Sequence, residues 1–124
     1  MAIPGLGTVI DGDGHLVTDM KGVANFMPSG WTEMAGGSSL GSLFPPIDHL
    51  HSANPVALPK DSFAHIGVEG WMEFMEEVGV DAAALFPTGG LSYGRIVNRD
   101  WAIAVCRAYN DWVYETYMKA SSRF

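Results

Sequence analysis

A chain of 124 residues with 48% hydrophobic content is long enough to form one small domain with a buried core. Its net charge of −7 argues against nucleic acid as a partner, because binding to phosphates requires clustered Lys and Arg. The single cysteine, Cys106, excludes an intrachain disulfide and a multi-cysteine zinc site, which favours a reducing, cytoplasmic setting.

A membrane partner is not expected either. The sequence has no run of about 18 apolar residues, the length that crosses a bilayer as a helix. Its first residues, M-A-I-P-G-L-G, lack the basic segment and long apolar run of a targeting signal. The sequence therefore predicts a soluble, cytoplasmic chain.

The first candidate strand, residues 8–11, runs into a cluster of polar side chains, D-G-D-G-H. Side chains alternate along a strand, so Asp13 and His15 are expected to point to the same side and to reach one metal ion together. The two glycines of the cluster are expected to allow close backbone contacts. The alternative is a solvated polar strand end followed by a turn.

Residues 15–62 are predicted to form a loop-rich insertion, because Gly and Pro punctuate them and no period of 2 or 3.6 runs through them. A helical turn is expected around residues 31–34. The sequence H-L-H at 49–51 is a His-x-His motif, but two prolines just upstream favour a loop over a strand. Insertions of this length are usually functional or disordered.

Residues 68–78 are predicted to form an amphipathic helix, with Gly79 as its C-terminal cap. Its predicted apolar face comprises Val68, Trp71, Met72, Met75 and Val78. Residues 80–86, V-D-A-A-A-L-F, form an apolar run without alternation apart from Asp81, which predicts a parallel strand buried on both faces. After a Gly-rich loop, Asn98 is expected to cap a helix over residues 99–119. This order of strands and helices indicates an α/β fold.

Three segments resemble the amidohydrolase-related family of metal-dependent enzymes, which includes aminocarboxymuconate-semialdehyde and resorcylate decarboxylases. They are V-I-D-G-D-G-H at residues 9–15, L-F-P-P-I-D-H-L-H at 43–51, and the long run over residues 71–112. The resemblance implies a (β/α)8 TIM barrel, which typically needs about 250 residues. Residues 1–124 are therefore predicted to be the N-terminal portion of a barrel, with the first two β/α units and a long loop insertion after the first strand.

In this family an acid-x-His or His-x-His motif after the first strand supplies two metal ligands, and Asp13 and His15 fall on those positions. The resemblance thus implies a divalent cofactor, zinc or manganese, and hydrolase or decarboxylase activity on a small carboxylate-bearing substrate. The family's later ligands, a histidine and an aspartate, and its catalytic base have no counterpart in the chain. Metal occupancy and catalysis by this chain are therefore open.

The candidate substrate-binding residues lie in the insertion and after the second strand, on what would be the active-site face of a barrel. They are His49, His51, Thr88, Tyr93 and Arg95. Arg95 suits a substrate carboxylate through a bidentate contact. Pairing of Arg95 with a helix acid such as Asp100 is an equal alternative.

A second hypothesis is a non-catalytic chain, either a truncated fragment or a self-associating α/β module without bound metal. Two barrel strands leave an unpaired edge and uncovered apolar faces, which favour association with further copies or with the missing barrel portion.

Overall fold

The computed structural model describes residues 5, 7–31 and 67–124. In chain order its elements are strand β1 (Ile10–Leu16), helix α1 (Met20–Ala24), helix α2 (Val68–Val78), strand β2 (Ala82–Pro87), a 3₁₀ helix (Gly89–Arg95), helix α3 (Arg99–Val113) and a π-helical turn (Tyr114–Met118). The predicted order of strand, helix, strand and helix is therefore present.

Strands β1 and β2 pair in parallel as a two-stranded sheet. The prediction that the first strand ends at Asp11 is wrong, because β1 continues to Leu16 and contains the polar cluster. Within the second half of β1, Gly14 and Leu16 are buried whereas Asp13 and His15 are exposed. One face of this half of the strand thus packs inward, and the other face is open.

Helix α1 was not expected from the sequence, since residues 20–24 lie inside the predicted insertion. Its first turn is stabilised by Asp19, whose Oδ1 accepts a hydrogen bond from the backbone N–H of Lys21 at 3.0 Å. Val23 is fully buried against α3. The rest of the insertion, from residue 32 to residue 62, lies outside the described residues.

Helix α2 has the predicted bounds, Val68–Val78, and Gly79 ends it in the left-handed conformation with φ of 77°. Met75 is fully buried, whereas Val78 is 46% exposed. The predicted apolar face is therefore buried at Met75 and exposed at Val78. The rest of the described chain covers only part of the apolar face of α2 and leaves its C-terminal end exposed.

Helix α3 begins as predicted. The side chain of Asn98 accepts a hydrogen bond from the N–H of Trp101 at 2.9 Å. The helical segment runs to Met118, close to the predicted end, but its last five residues form a π-helical turn. The core cluster consists of Leu16, Val23, Met27 and the buried residues of this helical segment. Those residues are Ala104, Val105, Ala108, Tyr109, Trp112 and Tyr117.

The prediction of a partial (β/α)8 barrel is wrong. The described residues combine helices with a two-stranded parallel sheet, in which each strand has one strand neighbour. A barrel is a closed sheet of eight strands, and two paired strands do not define one. The prediction that β2 is buried on both faces is also wrong. Phe86 on β2 is 43% exposed, because nothing in the described chain covers the side of the sheet that holds Ala84 and Phe86.

Among the described residues, the outer edge of β2, the one away from β1, is covered only at its start. The N–H of Ala83 donates to the carbonyl oxygen of Arg123 at 2.8 Å, so residues after the π-helical turn lie along this edge. Among the residues that the structure describes, no helix is both long and apolar enough to cross a bilayer.

Candidate functional site

Asp13 and His15 form the centre of the candidate site. The structure brings them together on the open face of β1, with Asp13 Oδ1 and His15 Nε2 3.3 Å apart. Their side chains are 86% and 35% exposed, respectively. The alternation of a strand is the reason for this juxtaposition, as the sequence predicts. The pair lies within β1 rather than in a turn after it.

The backbone before this pair is irregular. Asp11 pairs in register with Ala83 and Gly14 with Leu85, so two residues of β1 lie opposite the single residue Ala84, as in a β-bulge. Asp11 Oδ1 accepts a hydrogen bond from the N–H of Asp13 at 3.0 Å. This bond fixes the backbone at Asp13 through the preceding side chain.

Gly14 lies between the two polar residues and packs inward. A Cβ atom at this position would lie 2.9 Å from Cη2 of Trp71 in α2 and 3.0 Å from the carbonyl oxygen of Ala84. The prediction of close backbone contact is therefore confirmed for Gly14 and wrong for Gly12, where a Cβ would meet nothing within 4 Å. Because Gly14 fits closely under α2, the neighbouring Asp13 and His15 are held facing outward.

His15 has an aromatic neighbour on the second strand. It pairs in register with Phe86, and the two ring centroids are 6.4 Å apart with the planes tilted by 36°. Phe86 therefore forms an apolar side to the imidazole on the open face of the sheet. Sequence reasoning missed this contact, because the register between two parallel strands is not encoded by either strand alone.

The separation of the two side chains fits a shared metal ion. Ligand atoms that each lie ~2.1 Å from one ion are ~3.0–3.4 Å apart at octahedral to tetrahedral angles. The 3.3 Å between Asp13 Oδ1 and His15 Nε2 falls in that range. A carboxylate and an imidazole are also a donor set that zinc and manganese accept. Within the described ranges no group of three or more His, Cys, Asp or Glu side chains is arranged to hold an ion.

The other predicted site residues are distributed around the sheet. Thr88 follows β2 directly, and its N–H donates to the carbonyl of Leu16 at 3.2 Å, which places it beside the end of β1. Tyr93 and Arg95 lie on the 3₁₀ helix and are exposed. His49 and His51 lie outside the described residues.

Tyr93 belongs to a different surface from the Asp13 and His15 pair. It lines an open cleft of about 510 Å³ between β2, the 3₁₀ helix and α3. Leu85 and Cys106 also line this cleft. Because Leu85 neighbours Phe86 in a strand, the two side chains point to opposite faces, and the cleft lies across the sheet from His15.

Two buried tyrosines of the core have raised pKa values. Burial raises the pKa of Tyr109, and the neighbouring Tyr117 raises it further. Burial also raises the pKa of Tyr117, with an additional contribution from the negative charge of Asp19. Both side chains pack on Trp112, with ring centroids 5.6 and 5.7 Å away. Both hydroxyls are therefore held in their neutral form in the folded chain.

We expect the chain to lose stability as the pH rises above the ordinary tyrosine pKa of 10.0. The unfolded state then releases protons that the folded state retains at Tyr109 and Tyr117, so the free energy of unfolding falls with pH. Urea unfolding at pH ~8 and ~11 measures the loss. Tyr109→Phe should reduce it, whereas Tyr114→Phe, at an exposed position, should not. Equal losses in both variants would contradict this origin.

Two comparisons with known proteins find no relative of this chain. A scan against models of protein families finds no match to the chain, and a search of curated proteins finds none either. The resemblance to the amidohydrolase-related family depends on the three sequence segments quoted above and stays a prediction.

Proposed function

We propose that Asp13 and His15 bind one divalent metal ion, zinc or manganese, and that they serve a metal-dependent hydrolase or decarboxylase acting on a small carboxylate-bearing substrate. The observation that carries the proposal is the 3.3 Å separation of Asp13 Oδ1 and His15 Nε2 on an open strand face. The activity class comes from the resemblance of residues 9–15 and 71–112 to the amidohydrolase-related family.

The chemistry assigned to the pair follows from its ligand types. A bound divalent ion supplies Lewis acidity, which polarises a carbonyl or lowers the pKa of a water molecule. Asp13 contributes negative charge, and His15 contributes a neutral nitrogen at Nε2, where a proton and the metal compete. The high exposure of Asp13 leaves the remaining coordination positions accessible to water, substrate or further ligands.

Within this proposal, residues after β2 contribute to substrate binding. Arg95 is assigned to the substrate carboxylate because a guanidinium presents paired donors to two carboxylate oxygens. Thr88 is supported by its position beside the end of β1. Tyr93 has the weakest support of the three because it lines the cleft across the sheet. His49 and His51 are retained as substrate-pocket candidates on the sequence motif alone.

Zinc binding tests the proposal directly. Equilibrium dialysis of the purified chain against Zn²⁺ is expected to give one bound ion, and Asp13→Ala and His15→Ala should each weaken binding by at least ~10-fold, since even outer-shell partners are worth that much. Glu77→Gln is the matched control, because it removes an exposed carboxylate on α2. Equal zinc content in all four proteins would refute the site.

A second candidate function is self-association without metal. It is favoured by large apolar side chains on the open surface, including Ile10 at 64% and Phe86 at 43% exposure, and by the outer edge of β2, which the described chain covers only at its start. Surfaces and edges of this kind pair with other chains.

Light scattering measures the expected association. The average mass should rise above that of one chain as the concentration approaches ~0.1 mM, by mass action. Phe86→Asp should suppress the rise by placing a charge on the sheet face. Val97→Asp, the same kind of change at an exposed position after the 3₁₀ helix, should not. A monomer throughout the concentration range would exclude this function, and because the readout is mass, the result is independent of zinc binding.

A further inference from the structure

No further inference is drawn: the strongest candidate, the cleft between β2, the 3₁₀ helix and α3 together with the adjoining outer edge of β2, is an unpartnered apolar surface, and nothing in the structure shows what covers it.

Discussion

Gly14→Ala is expected to lower the free energy of unfolding by about 1–3 kcal/mol, the cost of overpacking a closely fitted site. The added Cβ would lie 2.9 Å from Cη2 of Trp71 and 3.0 Å from the carbonyl oxygen of Ala84. The second contact is with the backbone of β2, which cannot retreat without disturbing its pairing with β1. Trp71 is itself held edge-on against Phe74 and Phe124, with centroids 5.9 and 6.5 Å away.

Gly12→Ala is the matched control, since it makes the same change two residues earlier in the same strand. A Cβ at Gly12 meets nothing within 4 Å, and neither glycine has a positive φ. The control should change stability by less than ~0.5 kcal/mol. Urea unfolding followed by tryptophan fluorescence measures both variants. If they lost equal stability, strand propensity rather than contact with α2 would explain the effect.

Arg123→Ala is expected to lower the free energy of unfolding by about 1–3 kcal/mol, because the Arg123 side chain joins three parts of the chain. Its Nε donates to the carbonyl of Asp81 at 2.7 Å, and one terminal nitrogen donates to the carbonyl of Val80 at 2.6 Å. The other terminal nitrogen donates to the carboxylate of Glu76. Val80 and Asp81, which supply the two carbonyls, connect α2 to β2. Loss of these hydrogen bonds should therefore also destabilise the sheet.

Arg123→Lys and Glu76→Gln separate the contributions. Lysine keeps the charge but not the fork of donors, so it should recover only a minor part of the loss. Glu76 is 72% exposed, and exposed ion pairs contribute little, so Glu76→Gln should cost less than ~1 kcal/mol. Arg107→Ala, at an exposed position in α3, is the neutral control. A full recovery by lysine would show that charge, rather than bonding to the two carbonyls, is what matters.

Local signals in the sequence were sufficient to predict two helices. The bounds of α2 follow from apolar spacing and a glycine cap at Gly79, and the start of α3 follows from the Asn98 side chain. Each of these signals acts within about one helical turn, so no knowledge of distant residues is needed. Helix α1 has only Asp19 as a signal, and a five-residue helix is too short to show a period.

Burial could not be predicted in the same way, because it depends on what the rest of the chain brings to a surface. The apolar composition of β2 correctly indicates a parallel strand, yet Phe86 is exposed because no described element packs on that face. The juxtaposition of Asp13 and His15 is a local consequence of strand geometry and was predictable. The supporting contacts with Trp71 and Phe86 cross between elements and were not.

The irregularity between Asp11 and Gly14 decides how many carboxylates face the proposed ion. In a regular strand Asp11, Asp13 and His15 would all share one face, since side chains repeat every two residues. The extra residue shifts the alternation of side chains by one position. Asp11 and Gly14 therefore lie on the same face of the sheet, the one that holds their partners Ala83 and Leu85. Asp11 thus faces away from the proposed metal site, and its side chain accepts a hydrogen bond from the backbone N–H of Asp13. The one-residue irregularity in β1 therefore leaves Asp13 as the carboxylate of this segment that faces the proposed metal site, which limits the negative charge available to a cation.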